Sequence, residues 1–428
     1  MILFIKIQLF IATLWRLLAP FTRVIPQLKG RLAFENKNNV EYGHKSCLIC
    51  FEISSEGELQ QIKPILQYFL DNNKRLEIIF SSSSVESKIE ELVKQYPNQL
   101  EILRYPFLGQ VNIQKWITAK TLVLCRYDFF PDMLLYGARG DVKFILLSAA
   151  IKHKRIRPHS LKGLYWNSLF SLFDLIVATT EEEQKAFKEL GVNPRVLESF
   201  EFRKMQILRR LDKASKTLSE LPMGLKMVSW FDQFDYSKRL IIGSAWVSDL
   251  DIFKAPELKK AIKNGEIGVL IAPHKLDESF ITNIKDWFSQ NNYQVEIVNN
   301  NHLTFGEINI CSMSGILVEL YSYFGLCYVG GGFERSIHSV LEPFLAGAHV
   351  FCGPKTHRST EFQDILSVCP ERVTRLHYHL ETSVLFESTR PLKKKSWKND
   401  LEFEEKKGAL LMNQIEQLTY GMQRRALQ

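Results

Sequence analysis

The sequence predicts an α/β protein made of two doubly wound, parallel-sheet domains. Three observations predict it. Short apolar runs alternate with amphipathic stretches at the spacing of strand, helix, strand. The series runs once, then starts again after a polar stretch at residues 209–224. The chain's 428 residues also suffice for two or more domains of roughly 100–200 residues each.

Taken in order, residues 47–51, 76–80, 121–125, 143–148 and 175–178 read as strands, with helices at 58–70 and 85–96. The second series has strands at 240–243, 268–272, 294–298, 327–330 and 349–352. Residues 38–215 and 236–428 are the expected Rossmann-like domains, 216–235 the linker, and a terminal helix is expected at 401–422 within the second domain. No internal repeat interrupts either series.

Residues 1–30 read as a membrane anchor. Residues 1–20 are apolar and aromatic, broken by Lys6 and Arg16 and followed by Arg23, Lys29 and Arg31. No small-residue cleavage site follows, so this is not a cleavable signal. Its charge-free core at 7–15 falls short of the ~20 residues of a clean span. A tilted span, a helix lying in the membrane interface and an amphipathic helix packed on the protein's own surface all fit the pattern. The basic run at 393–398 fits a solvated face or contact with anionic headgroups.

Composition narrows the partners. With 46% hydrophobic and 24% charged residues the chain is globular, and a net charge of +8 favours anionic ligands. The basic residues are dispersed and no nucleic-acid motif occurs, which argues against nucleic acid. The seven cysteines are odd in number and mostly lie in apolar runs, as reduced core residues do. Cys47 and Cys50 have the spacing of half a zinc site, but no second pair or histidine cluster adjoins them in sequence, so no metal is expected.

One stretch carries most of the chemistry. It reads Gly330-Gly331-Gly332-Phe333-Glu334-Arg335-Ser336-Ile337-His338-Ser339-Val340-Leu341-Glu342-Pro343, with Gly353-Pro354 one strand later. An apolar strand, a glycine loop and a helix at 339–346 capped by Ser339 form an anion-binding arrangement. A charged His338 imidazole or backbone N–H groups would meet phosphate, and Glu342 would accept ribose hydroxyls, as in a nucleotide-sugar site. A tight turn beside a core histidine accounts for the same residues. In the first half, Glu52-Ile53-Ser54-Ser55-Glu56-Gly57-Glu58 follows a strand and opens a helix. A carboxylate there serves either as a general base or as an acid complementing the helix dipole.

The 330–354 stretch resembles the signature of the Kdo transferases, which join 3-deoxy-D-manno-octulosonic acid (Kdo) to lipid A precursors. It keeps the glycines, His338, Leu341, Glu342, Gly353 and Pro354, and departs at Ser336 and Ser339, where the family has glycine and asparagine. Ser55-Glu56-Gly57-Glu58 is similar to the family's Ser-Val-Gly-Glu, which implies Glu58 as catalytic base. Gly243-Ser244-Ala245-Trp246, Ala272-Pro273-His274 and Ser312-Met313-Ser314-Gly315 resemble further blocks. The resemblance thereby implies a nucleotide-sugar site of Ser244, Trp246, Pro273, His274, Ser314, Gly315, Gly330, Gly331, Gly332, His338, Ser339 and Glu342. Departures cluster in the first half: Arg126 stands where the family has an acid, Ala150 where it has arginine, and 199–203 replaces an Asp-Thr-Arg-Phe-Asp block. In the second half Ser312 replaces an acid. The resemblance implies a GT-B fold, its two domains facing across a cleft, and inverting transfer of Kdo from CMP-Kdo to a lipid A precursor. It also implies contact with membrane lipids on the cytoplasmic face of the inner membrane, with neither cofactor nor metal. A diverged transferase with another donor or acceptor, or a non-catalytic binding protein of the same fold, stands as the alternative.

Overall fold

The computed structural model describes residues 2–22, 25–108, 111–126, 128–151, 158–192, 196–222, 224–301, 304–334, 336–357, 359–378 and 397–426. Of the basic run, Lys393, Lys394 and Lys395 lie outside them, as do Arg23 and Arg335. The chain divides into two compact units, one of residues 1–203 and 405–428, the other of 204–404.

The first unit holds a seven-stranded sheet of β1 (Ile49–Ile53), β2 (Leu76–Phe80), β3 (Leu100–Arg104), β4 (Thr121–Cys125), β5 (Lys143–Ala149), β6 (Leu175–Ala178) and β7 (Val196–Ser199). Their order is β3-β2-β1-β4-β5-β6-β7, with every pairing parallel. The central strands are apolar almost throughout because helices cover both faces of such a sheet.

The second unit repeats the plan with β8 (Arg239–Ala245), β9 (Gly268–Pro273), β10 (Val295–Val298), β11 (Ile308–Cys311), β12 (Leu326–Val329), β13 (His349–Cys352) and β14 (Val373–Arg375). Their order is β10-β11-β9-β8-β12-β13-β14, again all parallel. In each sheet the winding reverses once, between β1 and β4 in the first and between β8 and β12 in the second. A reversal opens a crevice at the carboxyl ends of the two strands, where open α/β sheets bind ligands.

Three sequence expectations change. The polar stretch and the expected linker at 216–235 are built into the second unit as helices Ala214–Glu220 and Gly224–Phe231. Leu208, Leu211, Leu218, Met227 and Phe231 recur at helical spacing among the charges and join that unit's core, and Trp230 stacks on Phe305 with centroids 5.0 Å apart. The terminal helix, Lys398–Ala426, passes from the second unit into the first. There Tyr68 Oη donates to Glu416 at 3.1 Å, Gln414 Nε2 to Glu198 at 3.3 Å and Lys407 Nζ to Ser199 Oγ at 3.5 Å.

The third change concerns the anchor. No helix among the described residues is long and apolar enough to cross a membrane. The N-terminal helix, Ile2–Thr22, packs instead on helices Pro131–Gly137 and Leu161–Phe170 of its own unit. Phe4, Gln8, Ala12 and Ala19 form its buried face, Trp15 Nε1 donates to the Phe107 carbonyl at 2.5 Å, and Arg16 pairs with Asp132. Arg31 is likewise committed to the protein: it pairs with Glu35 at 2.6 Å and donates to the carbonyls of Ser81 and Tyr105. The opposite face is apolar and open, with Leu3 71%, Phe10 67%, Leu17 66% and Phe21 72% exposed.

Candidate active site

At the reversal of the first sheet, Glu52 lies near the end of β1, Ser54 to Glu58 follow that strand, and Arg126 follows β4. Ser55 caps helix Glu56–Asp71 by accepting from the Glu58 amide at 3.3 Å, and the Glu58 carboxylate accepts from the Ser54 amide at 2.6 Å. The bonds resemble a capping box shifted by one residue, with Glu58 reaching the amide before the cap, and they align the acid at the strand's end. Burial pushes the Glu58 carboxyl up to about 7, aided by Asp128 and opposed by the Ser54 amide and Arg126. A base poised there is charged or neutral according to small changes in surroundings.

Glu52 adds a group that sequence reasoning passed over. It is fully buried on β1, accepts from Ser54 Oγ at 2.8 Å, and has no partner for Oε2 among the described residues. Burial raises its carboxyl well above the usual range, which favours the protonated form. An acid inside the apolar run Cys50-Phe51-Glu52-Ile53 was the available signal. Arg126 adopts φ +64°, and its Nε donates to Gln61 Oε1 at 3.1 Å. Its positive charge therefore lies in the surroundings of Glu58, where the family has an acid. Ser199 ends β7 and, with Lys407 and Gln414 of the terminal helix, lines a cavity of about 330 Å³.

At the reversal of the second sheet the glycine loop follows β12, Ser244 lies near the end of β8 and Trp246 follows it. Backbone proximity explains the glycines. A Cβ on Gly330 would lie 2.2 Å from the Ser244 carbonyl, one on Gly332 would lie 2.6 Å from Gly353, and Gly331 adopts φ +91°. Ser244 itself adopts φ +53° where the β8–β9 register shifts. Such strain in a non-glycine residue persists where the surroundings over-determine it.

Asp249, also missed in the sequence, fastens the two loops together. Its fully buried carboxylate accepts from the amides of Trp246 and Gly331, each at 2.9 Å, and from Tyr328 Oη at 3.0 Å. Its spacing of three from Trp246, at the start of a short helical segment, was the only signal. Trp246, His274 and His338 meet above these strands. His274 stacks on both other rings at 4.4 Å, and Trp246 Nε1 donates to His338 Nε2 at 3.1 Å. Burial, reinforced by His274, holds the His338 imidazole down at about 4, so the charged imidazole considered from sequence gives way to a neutral one. Burial and Lys275 lower His274 as well.

The other expected residues are placed as follows. Pro273 ends β9. Ser314 and Gly315 follow β11, two strands from β8, with the Gly315 carbonyl accepting from Arg210 Nη2 at 2.6 Å. Ser312 Oγ donates to the Val298 carbonyl at 3.4 Å. Glu342 lies in the first turn of a helix that spans only Leu341–Leu345, and Ser339 does not cap it: Ser339 Oγ donates to Glu361 at 3.0 Å.

Elsewhere in the first unit, Cys47 does have neighbours that the sequence spacing conceals. The candidate ligand atoms of His44, Cys47 and Glu77 lie within 4.8 Å of one another. Glu77 already accepts from the Thr118 amide at 2.8 Å, Thr118 Oγ1 at 2.7 Å and the Ala119 amide at 3.3 Å, and it bonds His44 Nε2 at 2.8 Å. Burial pushes the Cys47 thiol up to about 12, so it is held as a neutral thiol in this network. The cluster therefore reads as a buried hydrogen-bond network.

A family model described as 3-deoxy-D-manno-octulosonic-acid transferase (kdotransferase) matches residues 26–206. A 3-deoxy-D-manno-octulosonic acid transferase of Aquifex aeolicus is 23% identical over 325 residues, covering 73% of this chain and 78% of that protein. The UDP-GlcNAc 2-epimerase of Methanocaldococcus jannaschii superposes with a TM-score of 0.53 over 85% of this chain and 99% of its own, at 10% identity. A glycosyltransferase of Rickettsia africae does so with a TM-score of 0.52 over 89% and 99%, also at 10% identity. These structural likenesses bear on the fold, which is α/β with two parallel sheets and GT-B-like. Family model, sequence relative and the motifs at both sheet reversals agree, and the chain is similar to the Kdo transferases over residues 26–206 by the family model and over 73% of its length by the sequence relative.

Proposed function

We propose that the protein transfers Kdo from CMP-Kdo to a hydroxyl of a lipid A precursor, with inversion at the anomeric carbon. Glu58 takes the hydroxyl proton as the new C–O bond forms, while the bond from the anomeric carbon to the phosphate oxygen breaks and CMP departs. The glycine-loop amides, Ser244, His338 and Glu342 hold the leaving nucleotide, the amides meeting its phosphate charge. The observation that carries the reading is the presence of family motifs at both sheet reversals, with Glu58 buried and poised near neutrality in the first. The open apolar face of the N-terminal helix supports membrane association as a helix lying in the interface, on the cytoplasmic face of the inner membrane.

Arg126 favours a second reading, of the same fold and donor with an altered acceptor. A guanidinium beside the base, in place of an acid, suits an acceptor that carries an anionic group near its reacting hydroxyl. Incubating full-length protein with CMP-Kdo and a lipid A precursor, with mass spectrometry of the products, tests both. Mass gain by one Kdo supports the first reading. Release of CMP only with a different, anionic acceptor supports the second, and no CMP release with any acceptor defeats both.

A further inference from the structure

The Trp246–His338 contact defines which nitrogen of His338 carries its proton. An indole N–H can only donate, so His338 Nε2, 3.1 Å away, must accept. An imidazolium carries N–H on both nitrogens and would set one hydrogen against the other. Turning the ring over would bring Cε1 to the indole and leave its N–H without an acceptor. The two rings are nearly parallel, at 4°, and His274 stacks across both. Their backbones are fixed as well: the His338 amide donates to the Gly330 carbonyl at 3.2 Å, and Asp249 ties Trp246 to Gly331.

We propose that Trp246 is a positioning residue that holds His338 as the neutral Nδ1–H tautomer, so that His338 offers an uncharged hydrogen bond to an oxygen of the bound nucleotide. The ligand half rests on the donor reading of the preceding subsection; the tautomer half rests on geometry alone. Among the described residues the His338 ring has no hydrogen-bond partner besides Trp246, so Nδ1–H is directed at no group among them. The charged and titratable groups around the ring are His274 and Lys275 after β9, Asp249 after β8 and Glu334 in the glycine loop. Asp249 is spent on three donors, and His274, itself lowered by burial and Lys275, disfavours a positive charge on His338. Affinity for the nucleotide therefore does not depend on protonating His338 across neutral pH.

Two-bond proton–nitrogen correlation spectra of histidine-labelled full-length protein read the tautomer directly, with His338 assigned by its loss in His338→Asn. Wild type is expected to show a protonated Nδ1 and a bare Nε2 that does not titrate near neutrality. Trp246→Phe keeps a ring but not the N–H, so it should shift His338 toward the Nε2–H form and bring its titration toward the usual histidine range. In CMP titrations, His338→Asn, whose amide nitrogen takes the place of Nδ1, should bind within a few-fold of wild type. His338→Gln, which substitutes for Nε2, should lose about ten-fold, the scale of one hydrogen bond. An Nε2–H or doubly protonated pattern in wild type at neutral pH overturns the proposal. The Nδ1–H pattern in a folded wild type that does not bind CMP overturns the ligand half and the donor reading, and leaves the tautomer standing.

Discussion

Glu52 and Glu58 flank one strand–helix turn, yet they hold protons differently. Burial, with Glu58 and Asp128 nearby, raises the Glu52 carboxyl well above the usual range against the Ser54 hydrogen bond, whereas burial lifts Glu58 only to about 7, opposed by the Ser54 amide and Arg126. Because the base acts when ionised, transfer rate should climb with pH and level off above about 7 in a pH–rate profile. Glu58→Gln should slow transfer by at least ~10²-fold while CMP titration is unchanged; near wild-type turnover would leave Glu58 a helix-capping acid. The linkage has a definite sign. A carboxyl raised from 4.5 to about 7 stabilises the fold fully below the unfolded value, and that contribution is lost as pH rises through about 7. The glycines give a second prediction. Gly330→Ala drives a Cβ into the Ser244 carbonyl, and Gly332→Ala drives one into Gly353, each at a cost of roughly 1–3 kcal/mol. Each should lower the melting temperature and weaken CMP, and a loop that absorbed the methyl without either change would contradict the close approach described.

At the scale of elements, the N-terminal helix inverts the usual rule, and this limits what its sequence reveals. Its seated face consists of Phe4, Gln8, Ala12 and Ala19, while Leu3, Phe10, Leu17 and Phe21 point outward. Apolar periodicity marks a helix and an apolar face, but a seat of two alanines and a glutamine carries no signal of its own. Leu3→Glu, Phe10→Glu and Leu17→Glu combined should abolish sedimentation with lipid vesicles and leave the melting temperature nearly unchanged. Deleting residues 1–25 should also abolish it but lower the melting temperature, because it uncovers the seat and breaks the Arg16–Asp132 pair. Raised salt should leave wild type bound, since screening touches charges and not apolar insertion. Equal stability of the deletion would show that the seat contributes nothing.

Over the whole molecule, several of the strands legible in the sequence are buried without charged interruption, such as β6, β9 and β12. Those missed carry polar residues with partners only the fold supplies. In β11, Asn309 Nδ2 donates to the Val269 carbonyl at 3.2 Å; β3 contains Glu101 and Arg104, and β7 contains Glu198. Likewise Ser244, Trp246, His274 and the glycine loop were recognisable as motifs, whereas Asp249 and Glu52 act through burial that no short pattern encodes. The split of units was misjudged because the residues around 209–224 look like a linker and are helices. Ending the chain after Glu404 should speed hydrogen–deuterium exchange in β7 while β12 and β13 keep their protection; unchanged exchange in β7 would show that the terminal helix contributes nothing there. That helix also sets an order of events in the cell. Residues 1–203 leave the ribosome first, yet the segment that completes their unit is made last, after residues 204–404. At about 5–20 residues per second the delay is roughly 10–40 s, during which β7 is an uncovered sheet edge. The earliest-made half of this protein is therefore the last to mature, its β7 edge open to stray strand pairing until residues 405–428 arrive.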